Sequence, residues 1–133
     1  MRTSIITVAT LLIAQTGLAQ YAARAQEPGT TRTALQRHDL SIPGKEVIQT
    51  RVSFDPGAVF GKHTHPGEEL VYVAEGSMEY QIEGKSPMIL KAGDVLFIPP
   101  GTVHSVKNTS TGNSAELSTY IVEKGKPLVT MVK

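Results

Sequence analysis

From Glu46 to Gly125 the chain is cut by glycine and proline into short runs, and after residue 25 no run keeps a helical period for more than about ten residues. "EVIQTRVSF" (46–54) is rich in Val, Ile, Thr and Phe and ends at "DPG", a turn signal. "ELVYVAEG" and "SMEYQIEG" each close on a glycine, and their junction at Gly76 predicts a hairpin. "SPMILKAGD", "DVLFIPPG", "TVHSVKN" and "ELSTYIVEKG" continue the pattern. Many short strands with glycine punctuation and no internal repeat predict an all-β antiparallel fold, either a sandwich or a small barrel.

The first residues do not share this pattern. "MRTSIITVATLLIAQTGLAQ" starts with Arg2, is largely apolar from Ile5 to Ala14, and then becomes small and polar. That is the form of a secretory signal, and the apolar run is too short to span a bilayer comfortably. "GLA" ending at Ala19 and "ARA" ending at Ala25 both fit a small-x-small cleavage site. The expected organisation is a signal peptide over 1–25, a flexible polar arm over 26–37 with no sustained period, and a single domain over 38–133. The implied destination is the periplasm or the exterior, with no membrane span in the mature protein.

Charge excludes two large classes of partner. The full chain has 13 Lys and Arg against 12 Asp and Glu. A cut after Ala25 removes Arg2 and Arg24 and leaves a net charge of −1; a cut after Ala19 removes Arg2 alone and leaves zero. The basic residues are scattered, so nothing here drives binding to nucleic acid or to a membrane surface. The chain has no cysteine. Thiol catalysis, iron–sulfur clusters and Cys-type zinc sites are therefore absent, and an exported domain of this size must rely on its core, a metal or a second subunit.

One stretch is poor in packing residues: "GKHTHPGEEL" (61–70). His63 and His65 stand at i and i+2, so on an extended strand both imidazoles share a face. Pro66 and Gly67 then turn the chain and let Glu69 return a carboxylate to the same point. About forty residues later "GDVLFIPPGTVHSVKN" places His104 beyond a Pro-Pro-Gly turn. Three imidazole nitrogens and a carboxylate oxygen make a borderline ligand set. It suits one divalent transition ion such as manganese, iron, nickel, copper or zinc, whereas calcium and magnesium would want more oxygens. Four protein ligands leave a coordination position open on a five- or six-coordinate ion, as a reactive site requires.

These residues carry a resemblance. Gly57, His63, His65, Glu69 and Gly76 follow the pattern G-x5-H-x-H-x3-E-x6-G. Gly93, Pro99, Gly101, His104 and Asn108 follow G-x5-P-x-G-x2-H-x3-N, with sixteen residues between the two motifs. Together they resemble the two signature motifs of the cupin superfamily, in the short-spacer form of small bacterial members. The resemblance covers about Ile42 to Val122. It implies a jelly-roll β-barrel with a metal inside, with His63, His65, Glu69 and His104 as ligands, and a homodimer. Gly57, Gly76, Gly93 and Gly101 are expected at turns with positive φ. Pro99 is expected to stiffen the bend before His104, and Asn108 to make hydrogen bonds rather than bind the ion.

The remaining candidates are read more plainly. His38 and Glu68 are expected to face solvent. Val71, Val73, Val95 and Phe97 are expected in the core, and strand parity leaves Tyr72 and Tyr80 open between cavity and interface. The functional expectation is a small exported metalloenzyme, a metal-dependent oxidoreductase of dioxygenase type or a decarboxylase or isomerase. It would act on a small oxygen-rich organic substrate, with Glu69 as the available proton acceptor. No base beyond Glu69 stands out. The alternatives are a non-catalytic periplasmic module that binds a small molecule or metal, and a metal-stabilised structural protein.

Overall fold

The computed structural model describes residues 27–133; the expected signal peptide lies outside them. The strands are β1 (Thr30–Asp39), β2 (Lys45–Phe54), β3 (Val59–Thr64), β4 (Gly67–Glu75), β5 (Ser77–Ile82), β6 (Met88–Lys91), β7 (Val95–Ile98), β8 (His104–Asn108), β9 (Ser114–Glu123) and β10 (Thr130–Met131). They form two five-stranded sheets, ordered β1-β2-β9-β4-β7 and β10-β3-β8-β5-β6, and every pairing is antiparallel. The all-β, jelly-roll-like arrangement agrees with expectation, but the barrel does not close. Among the described residues no ladder joins one sheet to the other, so each sheet keeps two edges and the core lies between two layers.

The predicted hairpin at Gly76 is not formed. β4 ends at Glu75 and β5 begins at Ser77, leaving one linking residue, whereas the tightest common hairpin loop has two. The chain instead crosses at Gly76 from one sheet to the other. Gly76 takes φ +75°, and a Cβ there would run into Ser114 Oγ. Glycine is required on both counts. Gly57, Gly93 and Gly101 also take positive φ, as expected.

The segment expected to be a flexible arm is ordered from Thr30 onward as β1, paired with β2 along its length. It shows no hydrophobic period because it is an edge strand, buried at Thr30 and exposed at most later positions. His38 is exposed on it, as expected.

Strand parity sets the core. Val52, Phe54, Phe60, Val71, Val73, Met78, Tyr80, Ile98 and Val106 pack together between the sheets. Val95 and Phe97, expected inside, point outward at 70% and 57% exposure. On β7 it is Leu96 and Ile98 that face inward, because Glu69 lies opposite Ile98 and fixes the register. Tyr72 is half exposed outside, and Tyr80 is buried inside.

Candidate metal centre

Each expected ligand is delivered to the interior by a different local device. β3 carries a register irregularity between Phe60 and His63, which lets two residues three apart both turn inward where strict alternation would expose one. His65 follows at i+2 on the same face. Gly67 then lets β4 come hard against β9, since a Cβ there would strike the Ile121 carbonyl. That close approach sets Glu69 on the inner face, opposite Tyr120. His104 is the first residue of β8 and lies across from His63. The turn before it is tied to the first motif, because Gly101 N donates to the His65 carbonyl at 3.0 Å.

The three histidines converge. One ring nitrogen from each lies within 4.8 Å of the others, and all three residues are buried. Their outer nitrogens are each held by a backbone carbonyl. His63 Nδ1 lies 2.7 Å from Gly61 O, His65 Nδ1 2.7 Å from Leu128 O, and His104 Nδ1 2.9 Å from Thr102 O. A carbonyl only accepts, so each Nδ1 carries the hydrogen and each Nε2 presents a lone pair. Glu69 Oε2 stands 3.1 Å from His65 Nε2 and 3.2 Å from His104 Nε2, and makes no such approach to His63.

In this tautomer lone pairs face lone pairs. His65 Nε2 and Glu69 Oε2 are buried and without a hydrogen-bond partner. Two such orphans cost about 1–3 kcal/mol each, more for a carboxylate. A cation among these atoms would remove that cost, and three neutral imidazoles with one carboxylate suit a first-row divalent ion. The residues present fit a metal.

The electrostatics keep His63 and Glu69 deprotonated but favour a proton on His104. Burial, then the neighbouring His104 and His65, push His63 down to about 3. Burial alone would raise the Glu69 carboxyl, but His104 and His65 outweigh it and hold it well below the usual range. Burial lowers His104, and the Glu69 carboxylate more than offsets this. A proton that competes with the cation therefore goes to His104 before His63, which stays a free ligand far into acid.

The same cavity holds Tyr80, which strand parity had left open between cavity and interface, and three residues that the sequence reading passed over, Arg32, Glu116 and Tyr120. Arg32, Glu116, Tyr80 and Tyr120 line it with His63, Glu69 and His104, around free space about the size of one water molecule. Glu116 is buried, accepts hydrogen bonds from the Tyr80 hydroxyl and from Ser118 Oγ, and is pushed up to about 7 by burial and by Glu69. It is a second ionisable carboxyl beside the centre. Alternation in "ELSTYIVE" puts Glu116, Ser118, Tyr120 and Val122 on one face, and the apolar Val122 marks that face as the inner one. No comparable signal marks Arg32 on an exposed edge strand, or the Leu128 carbonyl that holds His65. Asn108, expected as a hydrogen-bonding residue, is buried and donates through Nδ2 to Phe54 O, Asp55 O and Gly112 O at 2.9–3.1 Å. Its Oδ1 accepts from Ser110 N and Ser114 Oγ, so it clamps the turn regions at the far end of β8.

Comparison with known proteins agrees with this geometry. Residues 50–123 match the family described as the cupin domain. The chain is 37% identical to the oxalate-binding protein of Thermotoga maritima over 83 residues, which cover 62% of this chain and 68% of that one. It is 32% identical to a germin-like protein (subfamily 2, member 2) of Arabidopsis thaliana over 87 residues, covering 59% of this chain but only 40% of the plant protein. A solved cupin-like protein from Thermotoga maritima superposes with a TM-score of 0.64 at 27% identity, covering 77% of this chain and 75% of the other. Two intact motifs, a double-layered antiparallel fold and a family match over more than half the sequence lead to one conclusion: the chain belongs to the cupin family.

Proposed function

We propose that this protein is an exported cupin that binds a small oxygen-rich organic acid at a divalent metal centre and carries out chemistry on it. The observation that supports this most directly is the set of three Nδ1–carbonyl contacts. They aim three Nε2 lone pairs, with the orphaned Glu69 Oε2, at one point. His63, His65 and His104 would hold the ion, with Glu69 as the fourth ligand. Bound there, a divalent ion supplies Lewis-acid polarisation of a substrate oxygen and, for a redox-active metal, electron transfer. The protein's part is to exclude water, since the cavity is small and its walls are buried, and to handle protons. Glu69 would be the nearest carboxylate to take a proton, at Oε2. Glu116, pushed up to about 7 by burial and by Glu69, is suited to exchange protons with a bound acid.

Similarity to an oxalate-binding protein favours a second reading, capture of the acid without turnover. One experiment separates the two. The full-length protein is expressed with export, purified without a chelator, analysed for metal, and incubated with oxalate and related acids. Stoichiometric metal with product release that is lost in His104→Ala supports the enzyme. Saturable binding without product supports capture. A metal-free protein that takes up no ion sinks both.

Export rests on the charged and apolar start of the chain, and N-terminal sequencing of periplasmic protein would find Gln20 or Gln26 first. A homodimer is proposed because Leu70, Tyr72, Val95 and Phe97 form one exposed apolar patch. Leu70 lies across from Phe97 and Tyr72 across from Val95.

A further inference from the structure

The three carbonyls that orient the histidines do not come from the same kind of place. Gly61 O and Thr102 O each stand two residues before the ring they hold, so His63 and His104 are oriented by their own local chain. Leu128 O, which holds His65, lies 63 residues away in sequence. It belongs to a segment that leaves β9 after Glu123, turns at Gly125 with φ +80°, and crosses to the other sheet to end as β10. There Thr130 pairs with Thr64 and Met131 with His63, and Val132 N donates to Lys62 O at 2.8 Å. The Met131 methyl covers Gly61, 3.4 Å from where a Cβ would lie, and Gly61 O is the carbonyl that holds His63. One strap of chain therefore supports two of the three histidines, His65 through its own carbonyl and His63 through the strand it borders.

Little holds the strap itself. β10 is two residues long and forms an edge of its sheet. Residues 124–127 and 130–133 are exposed; Leu128 and Val129 are half-buried, and Val129 packs against the core. A segment with few buried apolar contacts and exposed backbone hydrogen bonds opens at a fraction of the free energy of global unfolding. When this one opens, the Nδ1–H of His65 loses its acceptor, and the imidazole is no longer fixed in rotation or in tautomer. His63 and His104 keep their own carbonyls. The centre then presents two oriented ring nitrogens in place of three.

From this asymmetry we propose that the C-terminal strap, residues 124–133, is a latch on the metal centre. Docked, it fixes His65 as a ligand and the ion is held; undocked, it frees His65 and the ion is held less tightly. Leu128 is a positioning residue in this scheme, acting through its main chain. The proposal rests on the metal-centre reading. Coupling of this kind is reciprocal: an ion that binds more tightly with the strap docked must itself hold the strap down, by the same factor.

The test compares amide hydrogen exchange of the full-length protein with and without saturating cobalt(II). β6 is the opposite edge of the same sheet, carries no ligand and holds none, and so serves as the internal reference. Cobalt should slow exchange about 10-fold over residues 128–133 and slow β6 much less. Equal slowing of both edges, or none in the strap, overturns the latch. A second arm opens the strap deliberately. Val129→Asp combined with Val132→Pro removes the apolar contact with the core and the donor to Lys62 O. The strap of this variant should exchange freely while β2, β9 and β4 stay as protected as in wild type. Cobalt, followed by its visible spectrum against a competing chelator, should bind it about 10-fold more weakly. An open strap with wild-type cobalt affinity overturns the latch and leaves the metal centre intact. A wild type that takes up no cobalt overturns the metal-centre reading and the latch with it. Should the double variant fail to fold or keep its strap docked, the exchange comparison on wild type decides by itself.

Discussion

Although Val71 and Val73 on its inner face pack in the core, β4 departs from the usual distribution of polarity at Glu69, Leu70 and Tyr72. On the inner face sits Glu69, buried beside His65 and His104 with Glu116 and His63 in the same cavity; on the outer face Leu70 and Tyr72 are nearly half exposed beside Val95 and Phe97. An ordinary sandwich puts these the other way round. Buried polar groups and a contiguous exposed apolar patch are the two informative departures from hydrophobic-inside folding, and each implies an absent partner. For the interior the proposed partner is a cation with an organic acid. For the exterior the proposed partner is a second copy of the chain.

The comparison is broken most severely from within. His104→Ala should abolish stoichiometric metal binding, measured by elemental analysis. Chelation of the wild type should lower its stability by about 4 kcal/mol at a free metal level a thousandfold above Kd. The same chelator should leave the melting temperature of His104→Ala unmoved. A wild type indifferent to chelation would make the polar interior a hydrogen-bonded core and remove the reason for the departure.

Next in size is the clamp that separates the polar end of the interior from the turns. Asn108→Ala removes a donor from the buried Phe54 carbonyl and from the partly buried Asp55 and Gly112 carbonyls, and an acceptor from Ser110 N and Ser114 Oγ; it should cost about 3 kcal/mol by denaturant titration, given about 1–3 kcal/mol for a buried group left unpaired. Metal content per folded chain should not change.

Glu116 sharpens the comparison through pH. Its carboxyl is raised from 4.5 to about 7, so in the metal-free protein its contribution to stability is fully present below about 4.5 and is lost as pH rises through 7. Glu116→Gln, which stays neutral throughout, should therefore be more stable than wild type at pH 8 by about 2–3 kcal/mol and lose that advantage near pH 4.5. His63, lowered to about 3, works in the opposite sense: its contribution is present above 6.5 and lost as pH falls towards 3. The mutant-minus-wild-type difference isolates Glu116 from it. A difference independent of pH would show that Glu116 does not titrate in this window.

The outer face gives the smallest change in fold stability. Phe97→Glu should leave the metal content and the monomer fold intact, with a change within about 0.5 kcal/mol, as for other exposed positions. Sedimentation should then show a dimer for wild type and a monomer for the variant. A wild type that sediments as a monomer removes the second copy as the cover for the patch.

Much of this molecule was legible in residue order. Short β runs cut by glycine and proline dictate an antiparallel all-β fold, because a period of two and frequent turns leave no helix to form. The i, i+2 histidines, Glu69 and His104 were readable as a candidate ligand set because strand parity and two spaced motifs are local properties, and the structure brings the three histidines together. Tertiary structure alone decided what depends on which strands become neighbours. A one-residue link forced β4 and β5 into different sheets, and register against β4 sent Val95 and Phe97 outward where their apolarity pointed inward. Arg32 and Glu116, far apart in the chain, reach one cavity only because β1, β2, β9 and β4 pair in that order. Side-chain type states what a residue can do; long-range pairing, which no local pattern encodes, decides beside what it does it.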